Sequence, residues 1–292
     1  MRTQIVYVVV SGTESIYAEQ AWASAWSLRQ HTPNAHITLC CDEDTVKFIR
    51  QTLPQMLNVI DELKSVAIDG SYTAMQRSRW LKTNLRRLIK GDFLFIDTDT
   101  LVTADLSGID DMPCSIGAVA DLHQPLSEGG FNSGVLYVKD DAAAHRLFEL
   151  WHTQWKENAT HGINFDQPAL WAVCDTLGEG CITELGGEWN AQIELNINYL
   201  SSAKIVHFFH KFRFKSSHPF FNKEIYHQIR RDGGISDATA HAILHCRQLF
   251  AGHSVLIEGD DLFFMMDRPA AKLFFLFRKH RKIYNLLSKI LK

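Results

Sequence analysis

The chain has 292 residues, of which 46% are hydrophobic and 22% are charged, and its formal net charge is -3. This size and composition are typical of a globular protein with one large domain, and they exclude a disordered or fibrous chain. Residues 271–292 carry seven Lys or Arg and no acid, so the rest of the chain has 23 basic against 33 acidic residues. An acidic body disfavours nucleic-acid binding, whereas the basic tail suits an anionic surface.

The cysteines and the apolar segments indicate the compartment. The six cysteines form no Cys-x-x-Cys pair and no zinc-type spacing, so we expect reduced and mostly buried thiols. The apolar run at residues 5–10 is too short for a signal peptide, and no segment approaches the roughly 18 apolar residues of a membrane span. We therefore expect a cytoplasmic protein.

The first sixty residues predict alternating strands and helices. Apolar runs rich in β-branched residues predict strands at residues 5–10, 36–41 and 58–60. Helical periodicity follows each of the first two strands, from residue 17 to residue 28 and from residue 44 to residue 53. Ser11 or Thr13 is placed to cap the first helix. This alternation predicts parallel strands with helices on both faces of the sheet.

A short apolar run at residues 93–96 ends on two carboxylates, Asp97 and Asp99. The run has the length of a buried strand, and side chains at i and i+2 of an extended chain project to the same side. Both carboxylates can therefore converge on one point, where a divalent cation would relieve their repulsion. The alternative is a solvated loop whose aspartates cap a helix.

A helix is predicted ahead of this strand, between residues 73 and 90. Arg79, Lys82 and Arg86 recur at spacings of three and four, on a different stripe from the apolar positions Leu81, Leu85 and Leu88. A cationic stripe near the end of the 93–96 strand could contact phosphate, and the alternative is an ordinary solvated helix face.

The middle of the chain predicts more strands and polar loops. Residues 115–120 and 135–138 have strand patterns, and the first of these ends at Asp121. The glycine-rich loop at residues 129–134 would let backbone approach a ligand, and Asn132 within it offers both a donor and an acceptor. Helices are predicted over residues 142–157 and from about residue 166, where Asp166 is expected to act as the helix cap.

His207 lies on a predicted strand at residues 204–210. A lone histidine on such a strand is usually a packed core residue, but together with the distant Asp-x-Asp it becomes a candidate nitrogen ligand. Carboxylates plus imidazole favour Mn²⁺, with Mg²⁺ as the alternative. Arg213, in the basic cluster that follows, could bind phosphate.

Taken in order, these residues make the chain similar to a family 8-like glycosyltransferase of the GT-A fold, the group that includes bacterial lipopolysaccharide galactosyl- and glucosyltransferases and glycogenin. The matching pieces, spread from about residue 5 to residue 215, include Phe-Ile-Asp-Thr-Asp-Thr-Leu-Val at 95–102, Phe-Asn-Ser-Gly-Val-Leu at 131–136 and Ile-Val-His-Phe at 205–208. The resemblance implies an α/β fold, with a Rossmann-like mixed sheet flanked by helices over residues 1–220 and a helical C-terminal extension over residues 221–292.

The resemblance also implies an activity and a set of site residues. It implies a retaining, metal-dependent hexosyltransferase that moves glucose or galactose from a UDP-sugar to a saccharide or glycolipid acceptor, such as a lipopolysaccharide. The metal ligands for Mn²⁺ or Mg²⁺ would be Asp97, Asp99 and His207. The catalytic positions would be Asp121, Asn132, Asp166 and Gln167, and the donor-binding positions would be Val9, Ser11, Gly12, Arg79, Lys82, Asp97, Thr98 and Arg213.

Two other functions compete with this interpretation. One is a phosphatase-like hydrolase with an Asp-x-Asp-x-Thr/Val motif, in which the first Asp is a nucleophile. Leu101 at the fifth motif position, and the place of the motif well inside the chain, count against it. The other is a non-catalytic, membrane-associated binding domain whose fold is stabilised by a metal ion. This hypothesis explains the metal residues but does not account for Asn132, Asp166 and Gln167.

The last residues, 271–292, predict a basic amphipathic helix. Such a helix can lie on an anionic membrane, or it can pack against its own domain. The first alternative predicts a protein held peripherally at the inner face of the membrane.

Overall fold

The structure is a computed structural model that describes residues 1–121, 130–193, 197–208, 220, 223–246, 257–259 and 262–264. The strands are β1 (Gln4–Val9), β2 (Ile37–Asp42), β3 (Glu62–Val66), β4 (Phe93–Ile96), β5 (Thr100–Val102), β6 (Ile116–Ala120), β7 (Phe131–Val138), β8 (Thr183–Glu184), β9 (Ala191–Gln192), β10 (Ile205–His207), β11 (Ile257–Gly259) and β12 (Leu262–Phe264). The α-helices are α1 (Tyr17–His31), α2 (Glu43–Thr52), α3 (Ala74–Thr83), α4 (Leu85–Leu88), α5 (Ala142–Thr160), α6 (Gln167–Leu177), α7 (Glu224–Asp232) and α8 (Asp237–Leu244). Short 3₁₀ helices lie at Pro54–Asn58, Ser107–Asp111, Gly187–Asn190 and Ile197–Ser202.

Within the described residues, a seven-stranded mixed sheet in the order β3-β2-β1-β4-β7-β6-β8 forms the centre of the fold. β3, β2, β1 and β4 run parallel to one another, whereas β7 is antiparallel to both β4 and β6. The parallel strands end at one edge, so the residues that follow β1 and β4 become neighbours there. This arrangement confirms the predicted α/β fold with a mixed sheet flanked by helices.

β1 is a continuous apolar run because both of its faces are buried. Ile5, Tyr7 and Val9 point into a core shared with α1, α2, α7 and α8. Val6 and Val8 point into a second core shared with α3 to α6. Successive side chains of a strand project to opposite faces, so each core takes every second residue of β1.

A second sheet, β5-β10-β9, carries His207 to the carboxyl end of β4. β10 is antiparallel to β5, with His207 opposite Thr100 and Val206 opposite Leu101. The backbone N–H of Phe208 donates to the carbonyl oxygen of Asp99 at 2.8 Å. The second sheet thereby fixes a residue from late in the chain beside the turn that follows β4.

The prediction of a strand at residues 58–60 is wrong. Asn58 ends the 3₁₀ helix Pro54–Asn58, residues 59–60 form no strand, and the third parallel strand, β3, begins at Glu62. β3 is an edge strand with exposed or half-buried side chains, so it has no apolar run to mark it in the sequence. The helix-cap prediction is also wrong, because α1 has Ile16 as its N-cap and neither Ser11 nor Thr13 caps it.

The predicted helix between residues 73 and 90 is divided by Asn84 into α3 and α4. The break separates Arg86 from Arg79 and Lys82. Arg86 instead donates to the carbonyl oxygen of Lys139 at 3.1 Å and pairs with Asp140 at 3.3 Å. Its guanidinium therefore fastens α4 to the end of β7, and the cationic stripe comprises only Arg79 and Lys82.

Residues 223–246 pack into the core beneath α1. Ile225, Tyr226, Ile229 and Ile243 are buried in the same cluster as the apolar side chains of β1 and α1. The boundary near residue 220 stays a prediction, and the predicted helix at 271–292 lies outside the described residues. All six cysteines are free and most are buried, as expected. In the described part of the chain, no helix is long and apolar enough to cross a membrane.

Arg230 ties α7 to the loop between β1 and α1. Its guanidinium donates to the carboxylate of Glu19, to the carbonyl oxygen of Thr13 at 2.5 Å and to the carbonyl oxygen of Ser15. Glu19 is fully buried on α1, so Arg230 supplies the countercharge of a carboxylate that has lost its contact with water. A buried charge without its partner is strongly destabilising.

We expect Arg230→Met to lower the free energy of unfolding by about 3 kcal/mol, because it leaves the Glu19 carboxylate buried and unpaired. Urea denaturation measures this loss. Arg231→Met is the matched control, since Arg231 pairs with Glu224 on the surface, where an ion pair contributes at most about 1 kcal/mol. Adding Glu19→Gln to Arg230→Met should recover part of the loss. Equal effects of the Arg230 and Arg231 variants would contradict the assignment.

Candidate metal and donor site

Asp97 and Asp99 lie in the tight turn between β4 and β5. The backbone N–H of Asp97 donates to the carbonyl oxygen of Gly134 at 2.8 Å, which continues the pairing of β4 with β7. The Thr100 hydroxyl donates to the carbonyl oxygen of Asp97 at 2.9 Å and closes the turn. Thr98 lies half-buried between the two aspartates. The turn is therefore held from both sides while its carboxylates stay accessible.

His207 completes a three-residue cluster with these carboxylates. One ligand atom from each of Asp97, Asp99 and His207 lies within 4.8 Å of the other two. The Nε2 atom of His207 is 3.1 Å from Oδ1 of Asp99. The side chains of Asp97, Asp99 and His207 are 30%, 16% and 3% exposed, so the cluster opens to solvent on the carboxylate side.

The electrostatics of the cluster fit a divalent cation. Burial raises the pKa of Asp97, the Lys82 ammonium opposes that rise, and the nearby Asp99 charge adds to it. Burial lowers the pKa of His207, but the charge and hydrogen bond of Asp99 outweigh burial and raise it overall. Two carboxylates and an imidazole are a donor set that Mn²⁺ accepts, and a cation would remove the repulsion between the carboxylates.

Two basic side chains, those of Lys82 and Arg79, lie beside the cluster. The Lys82 ammonium is 2.9 Å from Oδ2 of Asp166 and 3.5 Å from Oδ1 of Asp97, and its side chain is 4% exposed. Nε of Arg79 is 2.9 Å from Oδ1 of Asp166. The expectation that Asp166 caps α6 is wrong, because its side chain makes no cap hydrogen bond. Although burial raises the pKa of Asp166, Lys82 and Arg79 outweigh burial and lower it well below its usual value.

Gln167 is held at both ends of its amide. Its Nε2 donates to Oδ2 of Asp121 at 2.6 Å, and its Oε1 accepts the backbone N–H of Ser133 at 3.2 Å. The Ser133 hydroxyl in turn donates to Asp166 at 2.9 Å. The structure therefore brings Asp121, Ser133, Asp166 and Gln167 together into one hydrogen-bonded group beside the metal cluster.

Gly134 lies directly beneath the cluster. A Cβ atom at this position would lie 2.4 Å from Cε1 of His207, 2.9 Å from Oδ1 of Asn132 and 2.9 Å from Oδ2 of Asp97. These distances are too short for any real side chain, so close approach of β7 to the cluster requires glycine here.

Val9, Ser11 and Gly12 lie on the same edge of the sheet as the turn at residues 97–99. Val9 ends β1, the direct neighbour of β4. The Ser11 N–H donates to Oγ1 of Thr45 at 2.8 Å, and the Thr45 hydroxyl donates back to the carbonyl oxygen of Ser11 at 3.0 Å. The loop therefore reaches the site as a fixed element. Arg213, the remaining predicted donor residue, lies outside the described residues.

Asn190 has no predicted function from its sequence pattern, but it lies in the site. Asn190 is fully buried, and its Oδ1 is 2.9 Å from Nδ1 of His207. Its Nδ2 donates to Oδ1 of Asn132 at 2.8 Å. The residue lies in a loop-rich segment where an asparagine is ordinary, and only the pairing of β9 with β10 brings it to His207. Local sequence carries no signal for it.

Comparisons with known proteins agree with this geometry. The model of the family described as "Glycosyl transferase family 8" matches residues 8–214. The chain is similar to the glycosyltransferase GlyE of Streptococcus pneumoniae TIGR4, with 15% identity, a TM-score of 0.55 and coverage of 83% of this chain and 63% of GlyE. It is also similar to the galactosyltransferase LgtC, solved with donor and acceptor sugar analogs, with 15% identity, a TM-score of 0.55 and coverage of 79% and 96%. These two likenesses show the fold. No curated protein sequence matches significantly.

We expect Gly134→Ala to lower the affinity for Mn²⁺ by at least about tenfold, because the added methyl group must displace His207 or Asp97. Calorimetric titration of Mn²⁺ in the presence of UDP measures the change. Gly70→Ala is the matched control, since nothing lies within 4 Å of a Cβ at residue 70. Unchanged Mn²⁺ affinity in a folded Gly134→Ala protein would show that the cluster does not bind the ion.

Proposed function

The chain belongs to glycosyl transferase family 8, and on this basis we propose that it transfers glucose or galactose from a UDP-sugar to a saccharide acceptor with retention of anomeric configuration. The family makes the protein a glycosyltransferase. The choice of donor sugar, nucleotide and acceptor is our proposal, because the solved structures are too distant in sequence to transfer their substrates to this chain.

The charged residues that converge at the end of β4 support this proposal most directly. Asp97, Asp99 and His207 converge at the end of β4, and Lys82 and Arg79 stand beside them. A sugar nucleotide presents a diphosphate, which needs a divalent cation on one side and basic side chains on the other. We propose that Arg213 joins Lys82 and Arg79 in contacting the diphosphate.

We propose Mn²⁺, with Mg²⁺ as the alternative, as the ion that Asp97, Asp99 and His207 hold. When bound, the ion supplies Lewis-acid stabilisation of the negative charge on the departing nucleoside diphosphate. The residues of the chain provide the rest. Lys82 is buried and already oriented by Asp166 and Ser133, so it stabilises developing phosphate charge with little reorganisation.

The sugar side of the site is proposed to consist of Asp121, Asn132, Asp166 and Gln167. The Gln167 amide is fixed between Asp121 and Ser133, so it can present its carbonyl oxygen to a partly positive anomeric carbon without moving. Asp166 is paired with Lys82 and Arg79, so we propose that it orients these cations and contacts the donor sugar from a fixed position. The nucleoside is proposed to contact Val9, Ser11, Gly12 and Thr98.

The alternatives from the sequence are weaker after these observations. The phosphatase-like hydrolase requires an aspartate nucleophile, whereas the chain belongs to a transferase family and pairs Asp97 with Lys82. The same membership also disfavours a non-catalytic binding domain.

The acceptor is proposed to be a glycolipid or surface glycan at the inner face of the membrane. The support is the composition of residues 271–292, with seven basic residues and no acid. A basic segment of this kind is attracted to anionic headgroups by about 1 kcal/mol for each Lys or Arg near the surface. The protein would then meet a lipid-linked acceptor in the plane where that acceptor resides.

Titration of UDP into the protein tests the donor proposal. We expect binding that requires Mn²⁺ and is lost in EDTA, and we expect Asp99→Asn to abolish it, because the variant removes a charged ligand beside His207. Asp111→Asn is the control, since Asp111 is exposed and lies on the surface helix after β5. Metal-independent binding, or no binding of UDP by the wild-type protein, would contradict the proposed donor.

A chain that lacks residues 271–292 tests the membrane proposal. We expect the truncated protein to lose sedimentation with vesicles that contain anionic phosphatidylglycerol while it keeps Mn²⁺-dependent UDP binding. Vesicles of neutral phosphatidylcholine are the control and should retain neither protein. Equal sedimentation of full-length and truncated protein with anionic vesicles would refute the role of the tail.

A further inference from the structure

A series of buried hydrogen bonds joins β7 to His207. The donor and the acceptor of its first bond, at Gly134, are known with certainty. The backbone N–H of Gly134 donates to Asn132 at 2.9 Å. A backbone N–H can only donate, so the Asn132 atom that faces it is the carbonyl oxygen, Oδ1. Asn190 approaches the same oxygen at 2.8 Å. It must therefore present its NH₂ group there, and its own oxygen faces His207.

The donor-to-acceptor direction of these hydrogen bonds determines which ring nitrogen of His207 carries the proton. Oδ1 of Asn190 is 2.9 Å from Nδ1 of His207, and an amide oxygen can only accept. Nδ1 must then carry a hydrogen. In a neutral imidazole that leaves the lone pair on Nε2, the nitrogen that faces Asp99 and the cluster.

This restraint is needed because Asp99 favours a proton on the other ring nitrogen, Nε2. Its carboxylate is 3.1 Å from Nε2, and by itself it would favour the neutral tautomer with the proton on Nε2. That tautomer has no lone pair for a cation. A hydrogen bond between neutral groups contributes about 1 kcal/mol, which is enough to shift a tautomer ratio several-fold.

We propose that Asn190 is a positioning residue that keeps the proton of His207 on Nδ1, and thereby keeps Nε2 available as a metal ligand. The inference rests on the proposed metal role of the cluster. Asn190 is fully buried, and Asn132 and His207 are nearly so, which limits replacement of the bonds by water. Histidine ligands in metal sites are commonly oriented in this way by an acceptor on the second nitrogen.

The same series of hydrogen bonds also determines which group of Asn132 is available to a donor sugar. Its oxygen accepts from both Gly134 and Asn190, so both lone pairs are used. The NH₂ group is what remains for a sugar hydroxyl. In the proposed sugar site, Asn132 would therefore act as a hydrogen-bond donor, although its side chain carries both functions.

Calorimetric titration of Mn²⁺ in the presence of UDP tests the inference with paired variants. We expect Asn190→Leu to weaken Mn²⁺ binding by about 10- to 100-fold, since it removes the acceptor for Nδ1–H. Asn190→Asp should weaken Mn²⁺ binding less than Asn190→Leu does, because a carboxylate still accepts the hydrogen of Nδ1, although it can no longer donate to Oδ1 of Asn132. Asn84→Leu is the matched control, as Asn84 is also buried against a histidine, His152, but outside the cluster.

A spectroscopic measurement separates positioning from general damage. In metal-free ¹⁵N-histidine-labelled protein, at a pH where the imidazole is neutral, the His207 signals are identified by their loss in His207→Gln. Wild type and Asn190→Asp should show a protonated Nδ1, and Asn190→Leu should lose it at unchanged melting temperature. Wild-type affinity in Asn190→Leu, or equal loss in both Asn190 variants, would overturn the inference. Failure of the wild-type protein to bind Mn²⁺ would overturn the metal role itself.

Discussion

The site depends on one buried ammonium group. Lys82 contacts Asp166 at 2.9 Å and the Ser133 hydroxyl at 3.1 Å, and it lies 3.5 Å from Asp97. It also stands over the ring of Phe95, 4.9 Å from the centroid. These partners come from β4 and the turn after it, from β7 and from the start of α6, so a single charge on α3 joins four elements. Because the Lys82 side chain is almost fully buried, water screens its charge only weakly, and Asp166 and Asp97 supply the opposing negative charge.

The parts of the fold that the sequence predicted are those where burial decides the pattern. β1, β2 and β4 are buried on both faces, so their apolar runs are visible in the chain. β3 is missed because an edge strand has no such run. Asp97 and Asp99 were predicted as a pair because the strand before them is unmistakable and their spacing places them on one side. These predictions needed only local information.

The rest of the site depends on contacts between distant residues. Asp166 looked like a helix cap because that is what an aspartate before a helix usually is. Its pairing with Lys82 and Arg79 requires α3 to lie beside the start of α6. Arg86 was predicted to belong to the cationic stripe, but the helix break at Asn84 directs its side chain toward the end of β7. Asn190 depends on the register between β9 and β10, which no spacing along the chain reveals.

The attachment of α7 to the first loop changes what counts as the minimal catalytic unit. The matched family segment ends at residue 214 and contains every proposed donor and metal residue. Arg230 lies beyond it, yet its guanidinium fixes the carbonyl oxygens of Thr13 and Ser15 and neutralises the buried Glu19. A protein shortened to the matched segment would keep all its proposed chemistry but lose the restraint on the loop that is proposed to receive the nucleoside. A substitution at Arg230 can thus alter this loop without changing any residue that is proposed to contact the donor.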